Sequence, residues 1–353
     1  MRKGIMVHAL LILLLLAIPG AASAKQAPPT VTRIAGGAAD GSDVARLVRA
    51  IEQQRQARRP GRILLTGTFR LEQPIRLTAE NSGLAIEAAY PRAARLVAAG
   101  GTARGIEIRR ANDVRIAGLR LHGFSQDAIY AVDTARITIE RNIVEETRST
   151  RWSEGAIHLT GSATDAVIRD NIVKGADYAG IIIDTHVRSD ISRATIIGNQ
   201  VRDTCRRVHD CGAIYVNDRG RKSSNILIAN NEVANFGPIA VGGRAIYIDD
   251  LASHVTVRRN RIAGPGRYAF QIHGGRNNII EHNRVDMKGV DTLLRYIPRF
   301  DSKREEMTGN RFADNVVVSF ARKEPAIAPP DREGAGAIAA ARNRIHAGRG
   351  DRP

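Results

Sequence analysis

RITIERNIVEE, residues 136–146, decides how this chain folds. Ile137 and Ile139 alternate with polar residues, which gives a strand one buried face. Asn142 interrupts the alternation and Val144 resumes it. The pattern returns as DAVIRDNIVKG (165–175), ATIIGNQVRD (194–203), ILIANNEVAN (226–235), VTVRRNRIAG (255–264) and NIIEHNRVDM (278–287). Each copy has a short strand, an Asn, and an aliphatic residue two places on. The asparagines are Asn142, Asn171, Asn199, Asn231, Asn260 and Asn283, with Asn310 extending the series. Stacked asparagines can bond to one another and to turn backbone, and Asn tolerates a left-handed φ, so the column is expected to be structural.

A second strand set lies between these copies: GIEIR, AIYAV, AIHLT, GIIID, AIYVN, AIYID and AFQIH. From Ile106 through Ile129, Ile157, Ile181, Ile214 and Ile246 to Phe270 the intervals are 23, 28, 24, 33, 32 and 24 residues. A repeat of two or three short strands cannot bury its apolar face alone, so neighbours stack on one elongated core. The expected fold is therefore all-β: a single right-handed parallel β-helix, with insertions in its edge loops. Ser42 reads as the N-cap of a helix whose Val44, Leu47, Val48 and Ile51 follow helical spacing. Such a helix would cover the open end of the coil and keep the first sheet edge from pairing.

The termini are expected to lie outside the repeat. Arg2 and Lys3 precede an apolar run, Ala9 to Ile18, and Ala22-Ser23-Ala24 follows, so residues 1–24 read as a signal peptide. The run is short for a membrane span. Residues 25–40 are expected as a linker, 41–320 as the capped β-helix, and 321–353, with Pro325, Pro329 and Pro330, as a flexible tail. A secreted or periplasmic protein follows. The formal charge is +17, and loss of residues 1–24 removes two bases and no acid. That sign favours polyanions; for an exported chain the expected partner is acidic polysaccharide rather than nucleic acid. Cys205 and Cys211 are expected as a disulfide in an oxidising compartment.

Strand alternation sorts the second set into columns. Ile106, Ile129, Ile157, Ile181, Ile214, Ile246 and Phe270 point inward, as do Ile108, Ala131, Leu159, Ile183, Val216, Ile248 and Ile272. Glu107, Tyr130, His158, Ile182, Tyr215, Tyr247 and Gln271 point outward. A second outward column ends in Asp184, Asn217, Asp249 and His273, with Asp218 and Asp250 one place on. A solvated face would mix Lys, Arg, Ser, Thr and Glu; this one concentrates groups that exchange protons.

The helix-then-strand order and the Asn-x-aliphatic rungs, from about Gly41 to Phe320, resemble the pectate-lyase-like right-handed β-helix superfamily. Asp210-Cys-Gly-Ala-Ile-Tyr215 and Ala245-Ile-Tyr-Ile-Asp-Asp250 are similar to a motif of β-helical glycoside hydrolases of the xylosidase and fucosidase type. That resemblance implies Asp210 and the Asp249-Asp250 pair as catalytic acids. His273 is expected to tune them. His158, Asp184, Tyr215, Asn217, Asp218, Arg219, Arg244, Tyr247 and Gln271 are expected to contact substrate, Tyr215 and Tyr247 through sugar hydroxyls. Trp152, the only tryptophan, either packs its loop on the coil or stacks on a sugar.

Glycoside hydrolysis on paired acids is the first reading and needs no cofactor. A uronate lyase or C5-epimerase is the second. It would use Tyr215, Tyr247 or His273 as base and Arg219, Arg244 or Arg276 to neutralise the carboxylate, with calcium on Asp184, Asp249 and Asp250 as a further option. A glycan-binding surface protein without catalysis is the third.

Overall fold

The computed structural model describes residues 30–57, 61–185, 188–220, 223–299, 307–320, 327–328 and 338–348. The expected signal peptide lies outside them. The chain winds into a right-handed parallel β-helix of about ten turns. A typical turn runs through Thr138–Glu140, Ile143–Thr147 and Gly155–Thr164, and the next repeats it as Val167–Arg169, Ile172–Ala176 and Ala179–Ile183. Each strand pairs in parallel with the strand one turn away, as Ile139 does with Ile116 and Ile168. This makes three faces, each one strand wide per turn.

On the third face the two expected inward columns are in register. Ile106, Ile129, Ile157, Ile181, Ile214, Ile246 and Phe270 stand opposite one another from turn to turn. All are buried in one continuous aliphatic core.

The Asn column is a hydrogen-bonded ladder. Asn171 Oδ1 accepts from the backbone N–H of Asn142 at 3.0 Å and from its side chain at 3.1 Å, while Asn171 Nδ2 donates to the Ile139 carbonyl at 2.9 Å. The unit repeats through Asn199, Asn231, Asn260 and Asn283. The left-handed residue is not the Asn but the one before it: Arg141, Asp170, Gly198, Asn230, Arg259 and His282 have φ between 52° and 69°. Left-handed backbone costs a non-glycine residue about 1–2 kcal/mol, which the buried amide bonds offset. The ladder passes from Asn283 to Asn315 and on to Asn343. Asn310 stands at a different corner of the coil, where its Oδ1 accepts from the Asn278 N–H.

Both ends differ from expectation. Residues 25–40 contain a strand, Thr30–Ala35, which pairs with Gly61–Leu71 and buries Ile34. This strand, not the helix, lies on the first sheet edge. Helix Ser42–Ala57 packs Leu47, Ala50 and Ile51 into the core, whereas Val48 is 53% exposed. Its start is held by Asp43, which accepts from the Gly37 and Ala38 N–H groups, and by Asp40, which accepts from Ser42 N. The Ser42 hydroxyl instead accepts from Arg46. At the other end, Ala339–Ala341 and Arg344–Ala347 pair with Arg311–Ala313 and Val316–Ser319, so part of the expected tail is another turn of the helix. Asn343-Arg344-Ile345 repeats the Asn-x-aliphatic signature within a stretch whose Pro, Gly and Arg content suggested a loose tail. No helix among the described residues is long and apolar enough to cross a membrane.

Candidate active site

The outward side of the third face is covered rather than bathed in solvent. His158, Ile182, Tyr215, Tyr247 and Gln271 are all buried, as are Asp184, Asn217, Asp218 and Asp249. Loops from neighbouring turns close over the strands. Tyr178, Ile182, Tyr215 and Tyr247 form a second apolar cluster with the Cys205–Cys211 disulfide, and Val208 packs against it. The alternation predicted direction correctly, but not the insertions that roof the face.

Tyr215 and Tyr247 stand one turn apart in register and stack, with ring centres 4.8 Å apart and planes 6° from parallel. Gly212 permits this packing: a Cβ there would lie 2.8 Å from the Tyr247 Cβ. The two hydroxyls serve the two acids. Tyr215 donates to Asp249 Oδ2 at 2.5 Å, and Tyr247 to Asp210 Oδ1 at 3.4 Å. The rings therefore orient carboxylates, where sugar hydroxyls were the expected partners.

Asp249 ends strand Arg244–Asp249, its side chain 5% exposed, with His273 Nδ1 2.7 Å from Oδ1. Burial pushes its pKa upward. The bond and charge of His273, the Tyr215 hydroxyl and the Asp250 N–H outweigh that and hold it below the usual carboxylate value. Asp210 sits in the disulfide loop on left-handed backbone, φ 55°, with Tyr178 donating to its carbonyl at 2.9 Å. Its side chain is 54% exposed and lies 3.3 Å from Arg244. Its pKa is raised, first by removal from water and next by the Asp249 charge; Arg244, His273 and Tyr247 oppose the shift without cancelling it. Burial raises the Tyr178, Tyr215 and Tyr247 hydroxyls as well, so these phenols stay neutral donors.

The remaining expected residues fall into supporting positions. Asp250 faces Arg219 and Arg299, each through Nε at 2.6 Å. Arg244 donates to Gln271 Oε1 at 2.7 Å and lies over the Tyr247 ring. Asn217 accepts from the Thr185 N–H, and Asp218 accepts from Gly220 and Ser224, both shaping turns. Asp184 is drawn away from Asp249: its Oδ1 lies 3.1 Å from His158 Nε2, and Asp127 Oδ1 lies 3.1 Å from His158 Nδ1. Between two carboxylates His158 is held as a cation, its pKa raised to about 10 although burial opposes this. Trp152 is 71% exposed and does not pack its loop on the coil.

Asp249, Asp250 and His273 could bring three ligand atoms within 4.8 Å of one another, but Asp184 is not among them. Calcium prefers six to eight oxygens. Here both Asp250 oxygens already face guanidinium groups and the third donor is a nitrogen, so the expected calcium set does not fit.

Sequence reading missed Asp127, Tyr178 and Arg299. Asp127 had a visible signal, since Asp127-Ala-Ile-Tyr130 is a third copy of the Ala-Ile-Tyr core with an acid before it. Tyr178 and Arg299 reach the site from loops, where no period marks them.

The model of the right handed beta helix region matches residues 78–201 and 188–327. The chain belongs to this family. Among solved right-handed β-helices it is similar to the mannuronan C-5 epimerase AlgE4 A-module of Azotobacter vinelandii, at 15% identity and TM-score 0.54, covering 86% of this chain and 91% of that one. It is likewise similar to endo-xylogalacturonan hydrolase from Aspergillus tubingensis, at 15% identity and TM-score 0.55, covering 90% and 93%. A PL6 alginate lyase in complex with a trisaccharide matches at 14% identity and TM-score 0.50, covering 82% of this chain and 58% of that one. No curated protein matches in sequence. At these identities the likeness is one of β-helix fold.

Proposed function

We propose that this β-helix is an exported carbohydrate-active enzyme that hydrolyses glycosidic bonds in a polysaccharide. One observation carries the reading: two carboxyl groups on a stacked tyrosine pair have pKa values pushed in opposite directions, Asp210 up and Asp249 down. Opposed shifts separate a proton donor from an ionised partner. Asp210, half exposed beside Arg244, gives its proton to the leaving oxygen. Asp249 stays ionised and takes the proton of the attacking water; a carboxylate has about four acceptor sites, so its bonds to Tyr215 and His273 leave capacity. His273 and Tyr215 position it. Arg219 and Arg299 hold Asp250, and with it the turn that follows Asp249.

A lyase or C5-epimerase acting on a uronate-containing chain is the second reading. His273 supports it: its ring is 22% exposed and backed by a buried carboxylate, an arrangement that suits a base taking a proton from carbon. The names of the solved relatives, which include an epimerase, a hydrolase and a lyase, fit either reading.

The test is to incubate purified protein with neutral and uronate polysaccharides, measuring reducing ends and ultraviolet-absorbing unsaturated ends. Hydrolysis gives the first without the second, a lyase gives both, and epimerisation appears only by NMR. Asp210→Asn and Asp249→Asn are each expected to lower the rate by about 100-fold or more. Full activity in both variants would overturn this site.

A further inference from the structure

One ring beyond the acid pair gathers three cations. Tyr268 faces Arg244 one turn back in register, and its buried ring has guanidinium carbons of Arg244, Arg267 and Arg295 at 5.6, 5.2 and 5.4 Å from its centre. Arg244 lies 3.3 Å from the Asp210 carboxyl and donates to Gln271. Arg267 and Arg295 have no carboxylate partner among the described residues, whereas Arg62, Arg115, Arg136, Arg193 and Arg311 each pair with an Asp or Glu of an adjacent turn. Arg295 continues the column Tyr215, Tyr247, Gln271, one turn past Gln271. Turns are spaced about 4.8 Å apart, so Arg295 lies roughly one sugar ring along the axis from Gln271.

Three like charges around one ring repel unless an anion arrives, and the aromatic face stabilises each by only about 0.5–1 kcal/mol at exposed sites. A planar guanidinium fork matches a carboxylate. We propose that Arg267 and Arg295, seated on Tyr268, form a subsite for the carboxylate of a uronate residue next to the sugar held at Asp210 and Asp249. This rests on the reading of the ligand as a polysaccharide and fixes its class as acidic. The subsite recognises charge and takes no part in bond breaking.

The test is calorimetric binding in the inactive Asp210→Asn background. The probes are trimers of galacturonate, mannuronate, guluronate and glucuronate, each with its carboxyl-reduced neutral counterpart. At least one acidic trimer should bind tenfold or more tighter than its neutral form. Arg267→Gln with Arg295→Gln should erase that preference while leaving neutral binding and melting temperature unchanged, and Arg295→Lys should retain part of it. No preference for any acidic trimer, or a preference that survives the double substitution, would overturn the subsite. If Asp210→Asn still cleaves while the arginine variant loses the preference, the catalytic assignment fails and the subsite stands. If Asp210→Asn is inactive and the arginine variant binds normally, only the subsite fails.

Discussion

Tyr215 contributes one short hydrogen bond, and that bond bears on the whole pH profile. Activity needs Asp249 ionised and Asp210 protonated. The rate should rise as pH passes the lowered Asp249 value and fall as it passes the raised Asp210 value. Tyr215→Phe removes a donor from the Asp249 carboxylate, so its pKa moves up. A hydrogen bond to a charged group contributes about 1.5–3 kcal/mol, so the acid limb should shift upward by roughly one to two pH units, with the alkaline limb nearly in place. Initial rates against pH check this; an unmoved acid limb would remove Tyr215 from its positioning role. His158 makes a separate prediction. Its pKa is raised to about 10 from 6.5 by Asp127 and Asp184. The stability it contributes is complete below about pH 6.5 and lost as pH rises through about 10. His158→Gln removes the cation shared by Asp127 and Asp184, although Asp127 keeps Arg104 at 2.9 Å, and should cost about 3–5 kcal/mol, read by melting at pH 6. The loss of stability as pH rises toward about 10 that His158 contributes should be absent in the same variant.

At the scale of the strand and turn, the Asn ladder sets the register of two faces at once. Asn231 accepts from Asn199 and donates to the Ile196 carbonyl and to Asn260. Asn231→Ala strands several buried groups, each costing about 1–3 kcal/mol, and should lower the melting temperature far more than an exposed substitution such as Glu232→Ala. Equal melting of the two would deny the ladder its role. Strand direction and register were fully legible from alternation, because a slip of one residue would turn every Ile outward. Columns Ile106 to Phe270 needed no correction. What covers those strands was not legible. Tyr215 and Tyr247 point outward as read, yet they are buried, because the roof is built by loops of unequal length that carry no period. Asp210 could be placed near the site because a disulfide and a motif fixed its loop. Arg295 was missed because Val290–Ile297 no longer carries the Ala-Ile-Tyr core, although its column continues unbroken.

For the molecule as a whole, the open ends of the coil are where the fold meets its surroundings. Thr30–Ala35 pairs along Gly61–Leu71, and the Ser42–Ala57 helix buries Leu47 and Ile51 over the end of the core. Removing residues 1–57 bares a parallel strand edge and the apolar end of the core together. Light scattering should then show concentration-dependent association or aggregation, whereas the full chain stays dispersed. A truncated chain that remains monomeric would show that the cap is dispensable. The net charge of +17 adds a long-range attraction for anionic polymers. Its range falls from about 10 Å at 0.1 M salt to about 3 Å at 1 M, so salt should weaken capture of a long acidic chain more than the internal contacts of the buried acid pair.

The parallel stacking that places Tyr215, Tyr247, Gln271 and Arg295 in one file makes the molecule a ruler. The gap between Asp249 and Arg295, both on stacked strands, is counted in turns, not set by any loop. Lengthening a loop changes what roofs the file but not its graduations. Inserting one turn between the Gly266–His273 and Val290–Ile297 strands would move Arg295 one mark further along while Arg267 and Tyr268 stayed in place, and the charge-reading pair would be split.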